Sequence, residues 1–173
     1  MNAITPLPLP AADSWPTLWS QCNCWRGRAI NEFARAEAVV SEALLQLAAV
    51  PERGSGIALP HLVGQRFALL ARLVGEGGPF AVEGKGVAKA LAEWGVDEPL
   101  RALLCHGVVT VTIDHRGCWH MVVRVMAFRA GKATRDIMVL DEEEAEARLK
   151  ALHVRRQRLE GRLRSMMAGL KAA

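Results

Sequence analysis

The spacing of apolar residues along the chain predicts a mostly helical protein. The clearest helix covers residues 28–49, where apolar side chains recur at steps of three and four. These side chains are Ile30, Phe33, Val40, Leu44 and Leu47. Shorter helices are predicted over 60–74 and 87–94, and another begins at Asp97 and ends at His106. The stretches rich in glycine and proline between them are typical of loops.

After Gly107 the apolar period changes to two, which is typical of strands. Strands are predicted over 108–113, 119–126 and 136–140, with a turn over 114–117. A final helix follows over about 142–170, and its first turn carries three glutamates, where the helix dipole favours negative charge. The sequence therefore predicts a mostly α protein with a small antiparallel β-meander at about 108–140, which is an α+β fold.

The final helix has an apolar stripe that suits a helix pair or a coiled coil with another chain. All but one of its positions are apolar: Leu149, Leu152, Arg156, Leu159, Leu163, Met166 and Leu170. The rest of the helix is rich in cations, and clustered cations release counterions when they bind a phosphate backbone. We therefore consider an RNA-binding surface, with a basic face that only contacts water as the alternative. The candidate RNA-binding residues are Arg155, Arg156, Arg158 and Arg162.

Length and composition fit one globular domain. The chain has 173 residues, of which 51% are hydrophobic and 23% charged, and its net charge is +4. We predict a flexible, proline-rich leader over 1–14 and a single domain over 15–173. The mild positive charge permits a nucleic-acid partner. Because no run of 18 apolar residues occurs and the N-terminus lacks a basic start, we expect a cytoplasmic protein without a membrane segment.

Three tryptophans precede the predicted first helix, at Trp15, Trp19 and Trp25. They do not share one helical spacing. We interpret this segment as packing over the core, and an aromatic binding platform is the alternative.

The four cysteines, Cys22, Cys24, Cys105 and Cys118, show no disulfide framework. A zinc site is one alternative, because several thiols and imidazoles fall close to one predicted hairpin. These residues are Cys105, His106, His115, Cys118 and His120. Their spacing is not that of a standard zinc finger. We favour ordinary thiols and turn histidines, and we expect no metal or other cofactor.

The helix that precedes the strands ends with a cation and an imidazole. Arg101 and His106 lie just before Gly107, and glycine is favoured past a helix end because it tolerates positive φ. Five residues of regular helix separate the two side chains by about 140° around the axis. A tightened last turn or a partner molecule would bring both groups to one site. The simpler interpretation is a solvated cation and a histidine favoured near a helix carboxyl end.

Arg101 and His106, with four residues between them and Gly107 after them, resemble the Arg-x4–6-His signature of the HEPN superfamily. The resemblance implies a bundle of four or five helices, usually dimeric, and in many members a metal-independent ribonuclease. Arg101 and His106 would then be catalytic residues. The family commonly has a polar residue directly after the arginine, whereas this chain has Ala102. That departure favours, as the alternative, a non-catalytic HEPN-like module that dimerises and binds RNA or a partner protein.

Glu37 interrupts the apolar stripe of the first long helix. A carboxylate buried alone is costly, so Glu37 needs a partner, a cleft or access to water at the edge of the stripe. Acidic residues on the first helix often accompany the motif in proteins that this chain resembles, which implies that Glu37 orients Arg101. Glu32 and Arg35 lie about one turn away and could belong to the same cluster.

The resemblance to the HEPN superfamily implies acid–base chemistry at a phosphodiester. An imidazole can take the proton of a ribose 2′-hydroxyl or donate one to the leaving oxygen. A guanidinium can hold the phosphate and offset developing charge. We therefore expect a homodimeric endoribonuclease that leaves a 2′,3′-cyclic phosphate and a 5′-hydroxyl. The resemblance further implies a bacterial toxin or defence effector, which an antitoxin or another partner protein would bind.

Overall fold

A computed structural model describes residues 14–129 and 132–172. In chain order the elements are α1 (Ser14–Ala48), α2 (Val63–Val74), α3 (Ala81–Gly95), α4 (Glu98–His106), β1 (Val108–Ile113), β2 (Trp119–Arg129), β3 (Lys132–Asp141) and α5 (Glu142–Ala172). The predicted mostly α fold with a small antiparallel sheet is confirmed. The predicted leader lies outside the described residues except for Ser14, which begins α1.

The described residues group into two compact units. The first holds the residues up to Ile30 together with Pro99–Lys150, and the second holds Asn31–Glu98 and the residues from Ala151 onward. The sheet and nearly all of α4 belong to the first unit, whereas α2 and α3 belong to the second. The single domain predicted over 15–173 stays a prediction.

The sheet of the first unit is an antiparallel meander in the order β1-β2-β3. Val111, Met121 and Leu140 are paired across the three strands, and all three are buried. The β1–β2 turn falls where the sequence predicted it. The carboxylate of Asp114 accepts the backbone N–H groups of Arg116 and Cys118, at 2.9 Å each. β3 begins at Lys132, four residues before the predicted start.

On the other side of the sheet, the described side chains are exposed or half-buried. This side consists of the even-numbered residues 108–112 and 120–126 and the odd-numbered residues 135–141, and we call it the outer sheet face. Antiparallel sheets with one solvated side usually carry polar residues there. Here four large apolar side chains are exposed instead: Val108, Met126, Ile137 and Val139.

Trp25 anchors the core of the first unit. Its indole N–H donates to the carbonyl of Ala145 at 2.7 Å, and its ring lies 6.3 Å from that of Trp119. Trp15 and Trp19 stack on each other at 6.5 Å and are exposed. All three tryptophans lie on α1, so the prediction that the helix begins near residue 28 was wrong. The tryptophans do not form one stripe because Trp25 is buried, whereas Trp15 and Trp19 are exposed.

The core of the second unit surrounds an edge-to-face pair of Phe33 and Trp94, whose ring centroids are 5.5 Å apart. α3 begins six residues before the predicted start because Gly84 is part of the helix and does not break it. A Cβ at Gly84 would lie 2.4 Å from Cβ of Val74, so glycine permits α2 and α3 to approach closely. Small residues at such a contact are favoured by packing even where helix propensity opposes them.

The apolar stripe of α5 is buried by the chain itself. Every position of the stripe from Leu149 to Met166 is buried, including that of Arg156, and Leu170 is half-buried. Because the stripe is buried, it is not available for a coiled coil with another chain. That interpretation of the sequence was wrong.

Candidate functional site

Arg101 and His106 both lie on α4, within the first unit. Arg101 is half-buried and His106 is exposed at the last residue of the helix. The helix stays regular to its end, since the N–H of Gly107 donates to the carbonyl of Leu103 at 2.8 Å. The last turn is therefore not tightened, and the separation of about 140° between the two side chains persists.

The carboxyl end of α4 is capped by Arg26 of α1. The Nε and Nη2 groups of Arg26 donate to the carbonyl of Leu104 at 2.9 and 2.5 Å, and Nη2 also reaches the carbonyl of Gly107 at 3.4 Å. The last carbonyls of a helix lack intrahelical donors and carry partial negative charge, so a guanidinium suits this place. No local spacing in the sequence connects Arg26 with α4, so its capping role was not predicted.

Gly107 is required for close packing rather than for positive φ. A Cβ at Gly107 would lie 2.2 Å from Cγ1 of Val123 and 2.5 Å from the carbonyl oxygen of Leu103. Among the described glycines, the positive-φ ones are Gly77 and Gly117. Gly107 was therefore correctly predicted to follow the end of the helix, but the reason is close packing and not a positive φ angle. Together, Gly107 and Arg26 fix the helix end that carries His106.

Burial raises the pKa of the Cys22 thiol to about 11, and the nearby Arg26 offsets this only in part. A thiol with so high a pKa holds little thiolate at neutral pH, so Cys22 is a poor nucleophile. Within the parts of the chain that the structure describes, no three His, Cys, Asp or Glu side chains form a group that could hold a metal ion.

Glu37 lies on the part of α1 that belongs to the second unit, and it is half-buried. Its backbone carbonyl accepts a hydrogen bond from the hydroxyl of Ser41 at 2.7 Å. Arg101 belongs to the first unit, so the proposed pairing of Glu37 with Arg101 stays a prediction.

The arginines predicted to bind RNA lie in the second unit, and three of the four are paired with carboxylates. Nη1 of Arg155 donates to both carboxylate oxygens of Asp97 at 2.8 and 2.7 Å. Arg158 pairs with Glu93 at 2.6 Å. The side chain of Arg162 is exposed and passes Gly86, where an added Cβ would lie 3.2 Å from Cδ of Arg162. The role of these residues in RNA binding stays a prediction.

Of the four arginines predicted to bind RNA, Arg156 is buried. It is 3% exposed, and its Nε donates to Oε2 of Glu32 at 2.5 Å. Arg156 also pairs with Glu160, which in turn pairs with Arg164. Oε1 of Glu32 lies 3.2 Å from Nδ1 of His153. Arg156 is therefore held in an internal ion-pair network, which differs from the exposed cation that the basic pattern suggested.

Glu32, rather than Glu37, is thus the buried acid of α1, at 8% exposure. Burial raises the pKa of the Glu32 carboxyl, but hydrogen bonds and charge from Arg156 and His153 together lower it below its usual value of 4.5. The signal that points to Glu32 is in α5. An arginine on an apolar stripe needs a buried carboxylate on a neighbouring element, although this requirement alone does not select Glu32.

Among the described residues, no helix is long and apolar enough to cross a membrane. No protein-family model matches the chain, and no match was found among curated proteins or solved structures. The HEPN-like interpretation therefore depends on Arg101, His106 and Gly107 in this chain.

Proposed function

We propose that this protein is a metal-independent endoribonuclease in which His106 transfers protons and Arg101 offsets charge on the phosphate. The observation that supports the proposal is the placement of His106, an exposed imidazole on the last residue of a helix whose end is fixed by Arg26 and Gly107. A general base works best on a rigid element that presents its nitrogen to substrate.

The chemistry follows from these two groups. The imidazole of His106 takes the proton of a ribose 2′-hydroxyl, and the resulting oxygen attacks the adjacent phosphorus. The bond from phosphorus to the 5′-oxygen then breaks, and a protonated imidazole supplies the proton to that leaving oxygen. Arg101 stabilises the charge on the non-bridging oxygens. The products are a 2′,3′-cyclic phosphate and a 5′-hydroxyl, and RNA as substrate makes the cytoplasm the expected compartment.

One copy of α4 does not aim both groups at one phosphate, because about 140° separates them around the helix axis. We therefore infer that a second copy of the chain completes the site, so that Arg101 of one copy acts with His106 of the other. Within the same proposal, a toxin or defence effector would be held inactive by an antitoxin that covers α4.

RNA cleavage by the purified full-length protein in excess chelator tests the proposal. We expect the parent protein to cut structured RNA and leave cyclic-phosphate ends, and we expect His106→Ala and Arg101→Lys to lose at least about a hundredfold in rate. His115→Ala is the matched control, because His115 is an exposed histidine in the β1–β2 turn. Cleavage that survives in His106→Ala, or that needs added metal, would refute the proposal.

The second candidate is a non-catalytic dimerisation and partner-binding module. The exposed apolar side chains of the outer sheet face favour it, as does the pairing of the α5 arginines with acids. This candidate predicts that the parent, His106→Ala and Arg101→Lys proteins are equally inert towards RNA while they melt at similar temperatures.

A further inference from the structure

The outer sheet face concentrates exposed apolar surface within a small area. Val108 is 72% exposed, Ile137 64%, and Val139 and Met126 56% each. The inward residues of the same strands are buried, as Val123 and Leu140 show. Large apolar side chains on both sides of the same strands are typical of sheets that are covered on both sides. Contiguous exposed apolar patches of this kind mark interaction sites.

The strand register places these side chains in neighbouring rows. Val108, Arg124 and Ile137 form one row across the sheet, and Thr110, Val122 and Val139 form the next. Arg124 does not obstruct the face, because its Nη1 donates to the hydroxyl of Thr110 at 3.1 Å. The aliphatic stem of an arginine held in this way adds to the apolar surface.

Opposite charges lie at the two ends of the face. Arg135, paired with Met126, is at one end, and Asp141, paired with His120, is at the other. The midpoint between Arg135 and Asp141 on β3 coincides with the midpoint between Ile137 and Val139. A two-fold axis that passes above that point, parallel to the sheet and perpendicular to the strands, would place the two faces against each other and exchange their ends.

We propose that the outer sheet face binds the same face of a second copy of this chain. About such an axis, Ile137 of one copy lies against Val139 of the second copy, and Arg135 lies opposite Asp141 of the second copy. The arrangement forms two ion pairs around an apolar centre, and Arg124 meets Val122 rather than another cation. This self-complementarity is what an isologous dimer needs, and sheets packed face to face are a common way to cover such surfaces.

The size of the face sets the expected affinity. β1 contributes three outward residues and β2 and β3 four each, fewer than the roughly 20–30 residues on each side of a standard interface. We therefore expect a dimer that dissociates in the micromolar range. The proposal does not depend on ribonuclease activity, and it holds equally for an enzyme or a binding module.

Sedimentation velocity of the full-length protein, from about 1 to about 100 µM, tests the proposal. In the absence of RNA, on which the pairing of α4 copies would depend, we expect the mass to rise from 18.8 kDa towards twice that value, and Ile137→Lys to stay monomeric throughout. Val82→Lys is the matched control, because Val82 on α3 is 90% exposed and lies outside the sheet. Circular dichroism melts establish that each variant folds. A monomer at every concentration, or a dimer that Ile137→Lys leaves intact, would overturn the proposal.

Charge exchange tests the two-fold arrangement itself. Arg135→Asp alone and Asp141→Lys alone each place like charges opposite one another in their own dimers. A mixture of the two variants restores both ion pairs, so we expect the mixed dimer to be at least about tenfold tighter than either variant dimer. Equal association in the mixture and in the separate variants would refute this arrangement. Asp141 also caps α5 through the N–H of Glu144 at 2.7 Å, so the melt of Asp141→Lys is the necessary control.

Discussion

Arg156 occupies an apolar position of α5 because Glu32 supplies the compensating charge. The pair is enclosed, with side-chain exposures of 3% for Arg156 and 11% for Glu32. Burying such a pair brings little net stability over an apolar pair of similar volume, whereas removing one partner leaves an uncompensated buried charge. The network therefore fixes the relative position of these two side chains more than it stabilises the fold.

We predict that Glu32→Gln lowers the free energy of unfolding by about 3 kcal/mol at neutral pH, because Arg156 then keeps only part of its compensating charge. Since the folded state lowers the pKa of Glu32 below 4.5, its stabilisation is complete above that pH. The stabilisation is lost as the pH falls through the folded-state pKa. Urea unfolding of the parent and Glu32→Gln proteins should therefore show a difference that shrinks below about pH 4.5.

The matched control is Glu144→Gln, which removes the exposed pair of Glu144 with Arg148. That pair should be worth less than about 0.5 kcal/mol. If Glu32→Gln costs no more than Glu144→Gln, the buried network does not contribute as described. Replacement of both Glu32 and Arg156 by leucine should recover most of the loss, because no charge is then left unpaired.

At the residue scale, the apolar period showed which charged residues interrupt the stripes of α1 and α5, but it did not show which residues pair with them. Glu37 interrupts the α1 stripe and is half-buried, while Glu32, on the edge of that stripe, is buried. Which acid enters the core depends on where α5 places Arg156, and a single sequence does not contain that distance. Arg26 was missed for the same reason, since its partners at Leu104 and Gly107 are far away along the chain.

At the element scale, the junction from α4 to β1 is the most constrained part of the candidate site. We predict that Gly107→Ala lowers the free energy of unfolding by about 2 kcal/mol or more, because the added methyl overlaps Val123 and the carbonyl of Leu103. Chemical denaturation measures this loss. A smaller loss would mean that β2 moves readily away from the end of α4.

Gly161→Ala is the control for the effect of glycine itself. Gly161 lies within α5 and nothing approaches its added Cβ within 4 Å, so alanine should stabilise the helix by about 0.5–1 kcal/mol. The two substitutions are chemically identical and have opposite expected signs. Equal effects would indicate that helix propensity, and not the contact with Val123, decides the result at Gly107.

Elements with one clear period were predicted well, and elements with mixed signals were not. β1 alternates from Val109 onward and was placed at its observed bounds. The turn after it was predicted correctly because the carboxylate of Asp114 accepts the backbone N–H of Arg116, two residues on. The predicted start of α3 was six residues too late, because a glycine at position 84 is typical of a helix break. Its close contact with Val74, which the sequence does not show, explains why it lies inside the helix. In that case tertiary packing outweighs local propensity.

At the scale of the whole molecule, net charge is a poor guide to the available cations. The chain carries +4, but Arg155 and Arg158 on α5 are held by Asp97 and Glu93. The hydrogen bond from Arg158 lowers the pKa of Glu93, so this pair is charged at neutral pH. A cation paired with an acid releases fewer counterions on binding a phosphate. RNA binding through α5 would therefore be weaker than its sequence suggests.

Glu93→Gln should release Arg158 for a phosphate if α5 contacts RNA. We predict tighter binding of a labelled RNA and a slope of log K against log salt that is steeper by about 0.7, measured by fluorescence anisotropy. Glu83→Gln is the matched control, because it makes the same charge change and releases Arg53, which is not on α5. If both variants steepen the slope equally, general charge explains the binding. If neither does, RNA does not bind through Arg158, and α4 becomes the surface to test.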